Sequence, residues 1–285
     1  MPHVTINGCK LWYGLHGDGD DLLQIGGAGF AHMNFSAVTE KMAERFRVID
    51  VDQRGNGFSD RPDEKYTIEG WADDMAALLD AIGVERAFVH GTSTGGMIAI
   101  KLAAKYPEKV RALVLGATAA KLDFVGRSQF LVRKALARAY GTGSSELAHD
   151  LVTLALSRKA LDERGAEAVG LVQEMLDKMT SVESWCAGCD AMVEADLRAD
   201  LAQIYVPTLV TAGEEDNNTP IDAGPSGAGM RYIADNITGA ELHIIPGCGH
   251  TNLVEEPEIS TKVVIDFLDS VREHEDAAQS GVPSA

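Results

Sequence analysis

The chain has 285 residues, 45% of them hydrophobic, so it is long enough to bury a large core without disulfides. Its 25 lysines and arginines against 43 aspartates and glutamates give a formal net charge of −18, which argues against nucleic acid or an anionic membrane as partner. Four cysteines (Cys9, Cys186, Cys189, Cys248) fit free thiols in a reducing compartment. No basic-then-apolar leader opens the sequence and no run of 18 apolar residues occurs, so a cytoplasmic location is expected.

Val4 to Ile6 and Leu11 to Leu15 read as two short strands around the turn Asn7-Gly8. Leu22 to Ile25 is a short apolar strand that runs into Gly26-Gly27-Ala28-Gly29. A helix is predicted over about Ser36 to Arg45 with Ser36 as N-cap, then a buried strand over Val48 to Asp52. After the turn-rich loop Asp52 to Asp60, Trp71, Met75, Leu78, Leu79 and Ile82 recur at helical spacing within Thr67 to Ile82, and Gly83 is the stop. Ala87 to His90 reads as a strand, Gly96 to Ala104 as a helix that ends before Pro107, and Val110 to Leu115 as a further parallel-type strand. The strand–helix rhythm then breaks. Residues 121–203 carry only helical patterns, and alternation resumes with strands at Thr208 to Ala212 and Leu242 to Ile245. A short helix is expected over Met230 to Asn236 and a last helix from Pro257 to about Val271, with a frayed tail over 274–285. The pattern predicts an α/β fold: a mostly parallel, doubly wound sheet from 1–120 and 204–273, with a helical cap inserted over 121–203.

In such sheets ligands bind outside the carboxyl ends of the strands. Three chemically useful residues fall there. Ser93 stands between glycines in Gly91-Thr92-Ser93-Thr94-Gly95, at a strand-to-helix corner where side chains in place of the glycines would collide. Asp216 follows the Thr208 strand and His250 follows the Leu242 strand. A serine hydroxyl is a weak nucleophile until a base takes its proton. Imidazole can accept that proton and return it to the leaving group, and a carboxylate fixes its tautomer. His90 and His243 lie in strands, and His32 follows the glycine loop, so His250 is the preferred base. Asp216 is preferred over Glu215 and Asp123 as the acid. An oxyanion would be held by the Thr94 amide and one from the glycine loop, by spacing Ala28, with Gly27 or Gly29 next. That loop lacks the Lys-Ser/Thr of a phosphate-binding loop.

These segments resemble the α/β-hydrolase superfamily over nearly the full length. The matching pieces are Gly91 to Gly96, the Asp52 to Asp60 loop, Gly213-Glu214-Glu215-Asp216 and Gly249-His250. Within it, Pro2 to Gly8, Ala117 to Lys121 and Cys186 to Arg198 are similar to 3-oxoadipate enol-lactonases, and that resemblance implies hydrolysis of a small carboxylated lactone. Phe35 stands where the family's tryptophan is usual, Gly26-Gly27 replace its His-Gly or Asn-Ser, and 222–229 looks like an insertion.

The expected activity is that of a cofactor-independent serine hydrolase acting on a small ester or lactone, as monomer or homodimer, without metal. Carbon–carbon bond hydrolysis and a triad-retaining small-molecule receptor are the alternatives. Gly27, Phe30, His32, Phe124, Arg127 and Trp185 are the expected substrate contacts. Arg127, Arg133, Lys134 and Arg138 form a basic cluster able to clamp a carboxylate or simply to face solvent. The pair Cys186 and Cys189 lacks the companion ligands of a zinc site and the setting of a redox site, and reads as small helix-packing residues.

Overall fold

A computed structural model of the chain describes residues 2–280. The elements, in chain order, are β1 (His3–Ile6), β2 (Cys9–His16), β3 (Asp20–Ile25), α1 (Thr39–Ala43), β4 (Phe46–Val51), α2 (Ile68–Ala81), β5 (Ala87–Thr92), α3 (Thr94–Lys105) and β6 (Val110–Gly116). Then come α4 (Phe124–Tyr140), α5 (Ser145–Ala155), α6 (Arg158–Met179), α7 (Val182–Glu194), α8 (Arg198–Leu201), β7 (Thr208–Gly213), α9 (Met230–Asn236), β8 (Glu241–Ile245), α10 (Asn252–Glu255) and α11 (Pro257–Ser280).

The eight strands form one sheet in the order β1-β2-β4-β3-β5-β6-β7-β8. β1, β2 and β4 pair antiparallel and the rest parallel, with Leu23 opposite Val89 and Gly91 opposite Leu115. Asn7 and Gly8 turn β1 into β2 at φ 47° and 77°, the left-handed pair that a two-residue hairpin requires. Period-2 alternation divides the core. Leu22, Val48, Phe88 and Val114 face α1 and α11, while Leu23, Ile49, Val89 and Leu115 face the cluster that contains α2 and α3. Both faces are covered, so the central strands read as continuous apolar runs.

The break in alternation after β6 is a helical insertion, α4 to α7, before the sheet resumes at β7. Four of these helices start on a side-chain oxygen that accepts an amide: Asp123, Ser144, Ser157 and Ser181 cap α4, α5, α6 and α7. α8 lies within the stretch expected for the cap but packs on α3 and α9, with Lys101 paired to Asp200. The 222–229 segment is tied to the start of the helical insertion. Ala228 bridges to Lys121, and the Gly224 amide donates to Asp123 Oδ2 at 2.8 Å while Asp123 Oδ1 caps α4.

Two element boundaries differ from expectation. Ser36 does not cap a helix: its hydroxyl donates to Met33 O at 2.9 Å, closing a 3-10 turn over Ala31–Phe35, and the helix that follows is only Thr39–Ala43. The last helix continues to Ser280, so 274–280 are helical; 281–285 lie outside the described residues. The extension is held at a distance, by Glu275 on Arg111 at 2.6 Å. No helix among the described residues is long and apolar enough to cross a membrane.

Candidate active site

β5 runs into α3 through Ser93, whose backbone sits at φ 54°, ψ −120°. A non-glycine residue rarely occupies that region, and here the surroundings enforce it. The Ser93 amide donates to Gly116 O at 2.9 Å, and its carbonyl accepts the Thr118 hydroxyl at 2.6 Å and the Gly96 amide at 3.0 Å. A Cβ on Gly95 would lie 1.8 Å from Ile25 O, and one on Gly91 2.3 Å from Gly95 O. The strand, helix and neighbouring β3 therefore approach at distances only glycine permits, and Ser93 is turned out at the helix start.

Asp216, in the turn after β7, is buried with both carboxylate oxygens engaged. Oδ1 accepts the amides of Asn218 at 2.9 Å and Thr219 at 2.8 Å; Oδ2 accepts the Thr219 hydroxyl at 3.0 Å and His250 Nδ1 at 2.9 Å. With the Nδ1 proton donated to Asp216, Nε2 keeps a lone pair to accept another. His250 comes from the loop after β8, and that loop is pinned by the inserted helices. The His250 amide donates to Ala155 O at 2.6 Å, and a Cβ on Gly249 would sit 2.4 Å from the same oxygen. Glu255 completes the tie, accepting the amides of Gly249 at 3.0 Å and Ser157 at 3.1 Å.

Ser93 and His250 line one cavity of about 30 Å³, with Asn34 and Asn252. Among the described residues no hydrogen bond joins Ser93 Oγ to Nε2; the neighbour of Nε2 is Asn218 Nδ2 at 3.2 Å. Catalytic contacts of this kind commonly tighten when substrate is bound. The arrangement can perform base-assisted attack by a hydroxyl: a proton acceptor with a fixed tautomer shares a cavity with a half-buried serine at a helix start.

A second cavity, of about 10 Å³, lies beside Thr94. Gly27, Ala28 and Gly29, Gln53, Thr94, Trp185 and Met192 are among its walls. Thr94 opens α3, so its amide has no acceptor within the helix, and its hydroxyl donates to Met192 of α7 at 2.7 Å. In the glycine loop the Gly27 amide is already committed to Asn34 Oδ1 at 2.5 Å, which removes Gly27 as an oxyanion donor and leaves Ala28 or Gly29. Gly27 instead supplies closeness, since a Cβ there would lie 3.0 Å from Ser93 Cβ.

The other expected contacts divide. Trp185 lines the second cavity. Phe30 packs against the main core and lines neither cavity. His32 is held away from Ser93: its Nδ1 is 2.6 Å from Asp52 Oδ1, and its ring packs against Trp12 (4.4 Å between centroids) and Phe58. Phe124 is 72% exposed and Arg127 is exposed, both on the outer face of α4, so neither reaches the cavities. Two of the four residues of the basic cluster are spent on protein carboxylates. Arg133, 1% exposed, lies over Phe130 and donates to Asp150 Oδ2 at 2.7 Å, and Lys134 pairs with Asp190. Of the other weighed acids, Asp123 caps α4 and Glu215 accepts the Arg158 amide at 2.9 Å. Burial pushes the His90 imidazole down to about 3. Cys186 and Cys189 are buried on α7 where it packs on α4. Asn34, Gln53 and Asn218 were not legible as site residues; only the adjacency of Asn218 to Asp216 offered a signal.

Comparison with known proteins agrees with this architecture. The family model described as alpha/beta hydrolase fold matches residues 22–257, and the chain belongs to that family. It is 31% identical to a 2-hydroxymuconate semialdehyde hydrolase from Pseudomonas sp. (strain CF600), covering 88% of each chain. It is 28% identical to 3-oxoadipate enol-lactonase 2 from Acinetobacter baylyi, covering 75% of this chain and 76% of the relative. Among solved structures, the enol-lactonase from Burkholderia xenovorans LB400 superposes with a TM-score of 0.84 at 26% identity, over 94% of this chain and 100% of that one. The chain is thus a hydrolase of this fold, with enol-lactonases among its relatives.

Proposed function

We propose that the protein hydrolyses a small carboxylic ester or lactone through an acyl-enzyme on Ser93. The observation that carries this reading is Ser93 held at φ 54°, ψ −120° in a cavity shared with His250, whose Nδ1 is 2.9 Å from Asp216 Oδ2. In this reading His250 Nε2 takes the hydroxyl proton as Ser93 Oγ bonds to the carbonyl carbon, and Asp216 steadies the imidazolium. The amides of Thr94 and Ala28 receive the oxyanion, His250 returns the proton to the leaving alkoxide, and water activated by the same base frees the acid. The lactonase relatives support the ester or lactone class; the 31% identical 2-hydroxymuconate semialdehyde hydrolase supports carbon–carbon bond cleavage as the second reading. A small-molecule substrate, no cofactor, a cytoplasmic location and a monomer or homodimer complete the proposal.

A fluorophosphonate probe, followed by turnover of 4-nitrophenyl acetate and a panel of lactones, tests it. The native protein should label and turn over. Ser93→Ala should abolish labelling and lower turnover by about 10⁴–10⁶-fold. Labelling without turnover of any ester or lactone would favour a receptor, and equal turnover by Ser93→Ala would overturn the reading.

A further inference from the structure

The loop after β3 carries two glycines in succession because nothing larger fits. A Cβ on Gly26 would lie 1.8 Å from Ala31 O, and one on Gly27 3.0 Å from Ser93 Cβ. Two adjacent glycines leave the peptide unit between them with few steric limits on its orientation. Side chains supply that orientation instead. The Gly26 carbonyl accepts Gln53 Nε2 at 2.5 Å, and the Gly27 amide donates to Asn34 Oδ1 at 2.5 Å. These are the two ends of one peptide unit. Asn34 is among the walls of the cavity that holds Ser93, and Gln53 is among those of the cavity beside Thr94. If the unit turned over, its carbonyl would meet the Asn34 oxygen and its amide the Gln53 NH2 group, acceptor against acceptor and donor against donor. Gln53 is 2% exposed, and its Oε1 has no hydrogen-bond partner among the described residues. The fold thus tolerates an unserved buried acceptor at the place where Nε2 holds Gly26.

We propose that Gln53 and Asn34 are positioning residues for the oxyanion site: together they clamp the Gly26–Gly27 peptide and, through it, set the direction of the Ala28 amide. The link is the next peptide unit. Its carbonyl, Gly27 O, accepts the amides of Phe30 and Ala31, each at 3.3 Å. In a trans peptide the N–H points opposite to the C=O, so the Ala28 N–H points away from that turn. It donates to no protein acceptor among the described residues, and Ala28 lines the cavity beside Thr94. Both 3.3 Å bonds are long for N–H···O, so this second unit leans on the first for its orientation. Neither side chain has to touch the reacting atoms to have this effect. The inference rests on the reading of the Thr94 and Ala28 amides as oxyanion donors to an ester carbonyl attacked by Ser93.

Gln53→Met keeps the length of the side chain and removes the donor. One buried acceptor without a partner, Gly26 O, then replaces another, Gln53 Oε1, so the urea midpoint should stay close to the native one. The kcat for 4-nitrophenyl butyrate should nevertheless fall by about 10–100-fold with KM within about threefold, because an oxyanion donor acts chiefly in the transition state. Asn34→Leu should act in the same way. The double variant should lose little more than the worse single one, since both side chains act on one peptide unit. Ser93→Ala in the same assay judges the nucleophile separately. Where it abolishes turnover, a native kcat in Gln53→Met, losses that multiply in the double variant, or a kcat that falls only in step with the urea midpoint would overturn the clamp. The backbone amide resonances of Gly27 and Ala28 give a readout without turnover. In Gln53→Met both should shift and broaden through microsecond-to-millisecond exchange. That result supports the clamp even if Ser93→Ala shows that another group is the nucleophile; sharp, unshifted signals overturn it.

Discussion

Ser93 carries a backbone conformation that costs a free residue about 1–3 kcal/mol, and the hydrogen bonds on its amide and carbonyl are what hold it there. At the same scale, His90 is a buried group that the proposed chemistry does not use. Its ring meets Phe35 edge-on at 4.9 Å, and burial lowers its titration from 6.5 to about 3. Between those values the unfolded chain holds a proton that the folded chain does not, so stability falls as pH drops through the window and levels off below about 3. Asp50 acts in the opposite sense. Burial raises it from 3.8 to about 6, so its contribution is present below 3.8 and lost as pH rises to about 6. Replacing His90 alone isolates its share: urea midpoints measured from pH 7 to pH 4 should fall less steeply for His90→Gln than for the native protein, and parallel curves would refute the assignment. The residues legible in the sequence were those whose signal is local. Ser93 lies between glycines, and Asp216 and His250 follow apolar strands. His32 misled because its partners Asp52, Trp12 and Phe58 come from distant segments, and Gln53 and Asn34 are silent until the glycine loop folds onto them.

The decisive junction between elements is where β5, α3 and the end of β3 meet. Gly95 lets α3 approach Ile25 so closely that any side chain would strike main-chain atoms at both Ile25 O and Ile25 C. Neither can move without disturbing the central sheet. Gly95→Ala should therefore lose about 2–4 kcal/mol in urea unfolding, together with fluorophosphonate labelling. A variant as stable as the native protein would mean that the junction yields more easily than the distances imply. Element type was readable wherever periodicity was strong, as in α2, where Thr67 accepts the Gly70 amide at the start and Gly83 follows the end at φ 75°. The first helix was misplaced because Ser36 bonds backwards to Met33 instead of forwards to an amide. The true end of α11 was invisible because Glu275 and Arg111 are 164 residues apart. Phe124 and Arg127, expected as substrate contacts, fall outside the buried stripe of α4, which is Gly126, Phe130, Arg133 and Ala137.

Over the whole molecule, all four cysteines are free and buried. Burial pushes the Cys9 thiol up to about 11 and Cys248 to about 12, and it raises Cys186 and Cys189 as well. Thiolate is the reactive form, so each is protected twice, by access and by protonation. Iodoacetamide at pH 8 should modify almost none of the four in the folded protein and all of them in urea. The modification rate should then follow global unfolding, and rapid labelling of Cys186 in the native state would contradict the packing described for α7.

The hydrogen bond from the His250 amide to Ala155 carries a lesson about how such a protein can change. One turn of the inserted segment sets where the proposed proton carrier stands. Any descendant that replaced the whole insertion to reach a new substrate would also have to rebuild that support. Diversification is therefore easier along the inner walls, at positions such as Ser184, Gly188 and Met192, than at the turn formed by Ala155, Leu156 and Ser157.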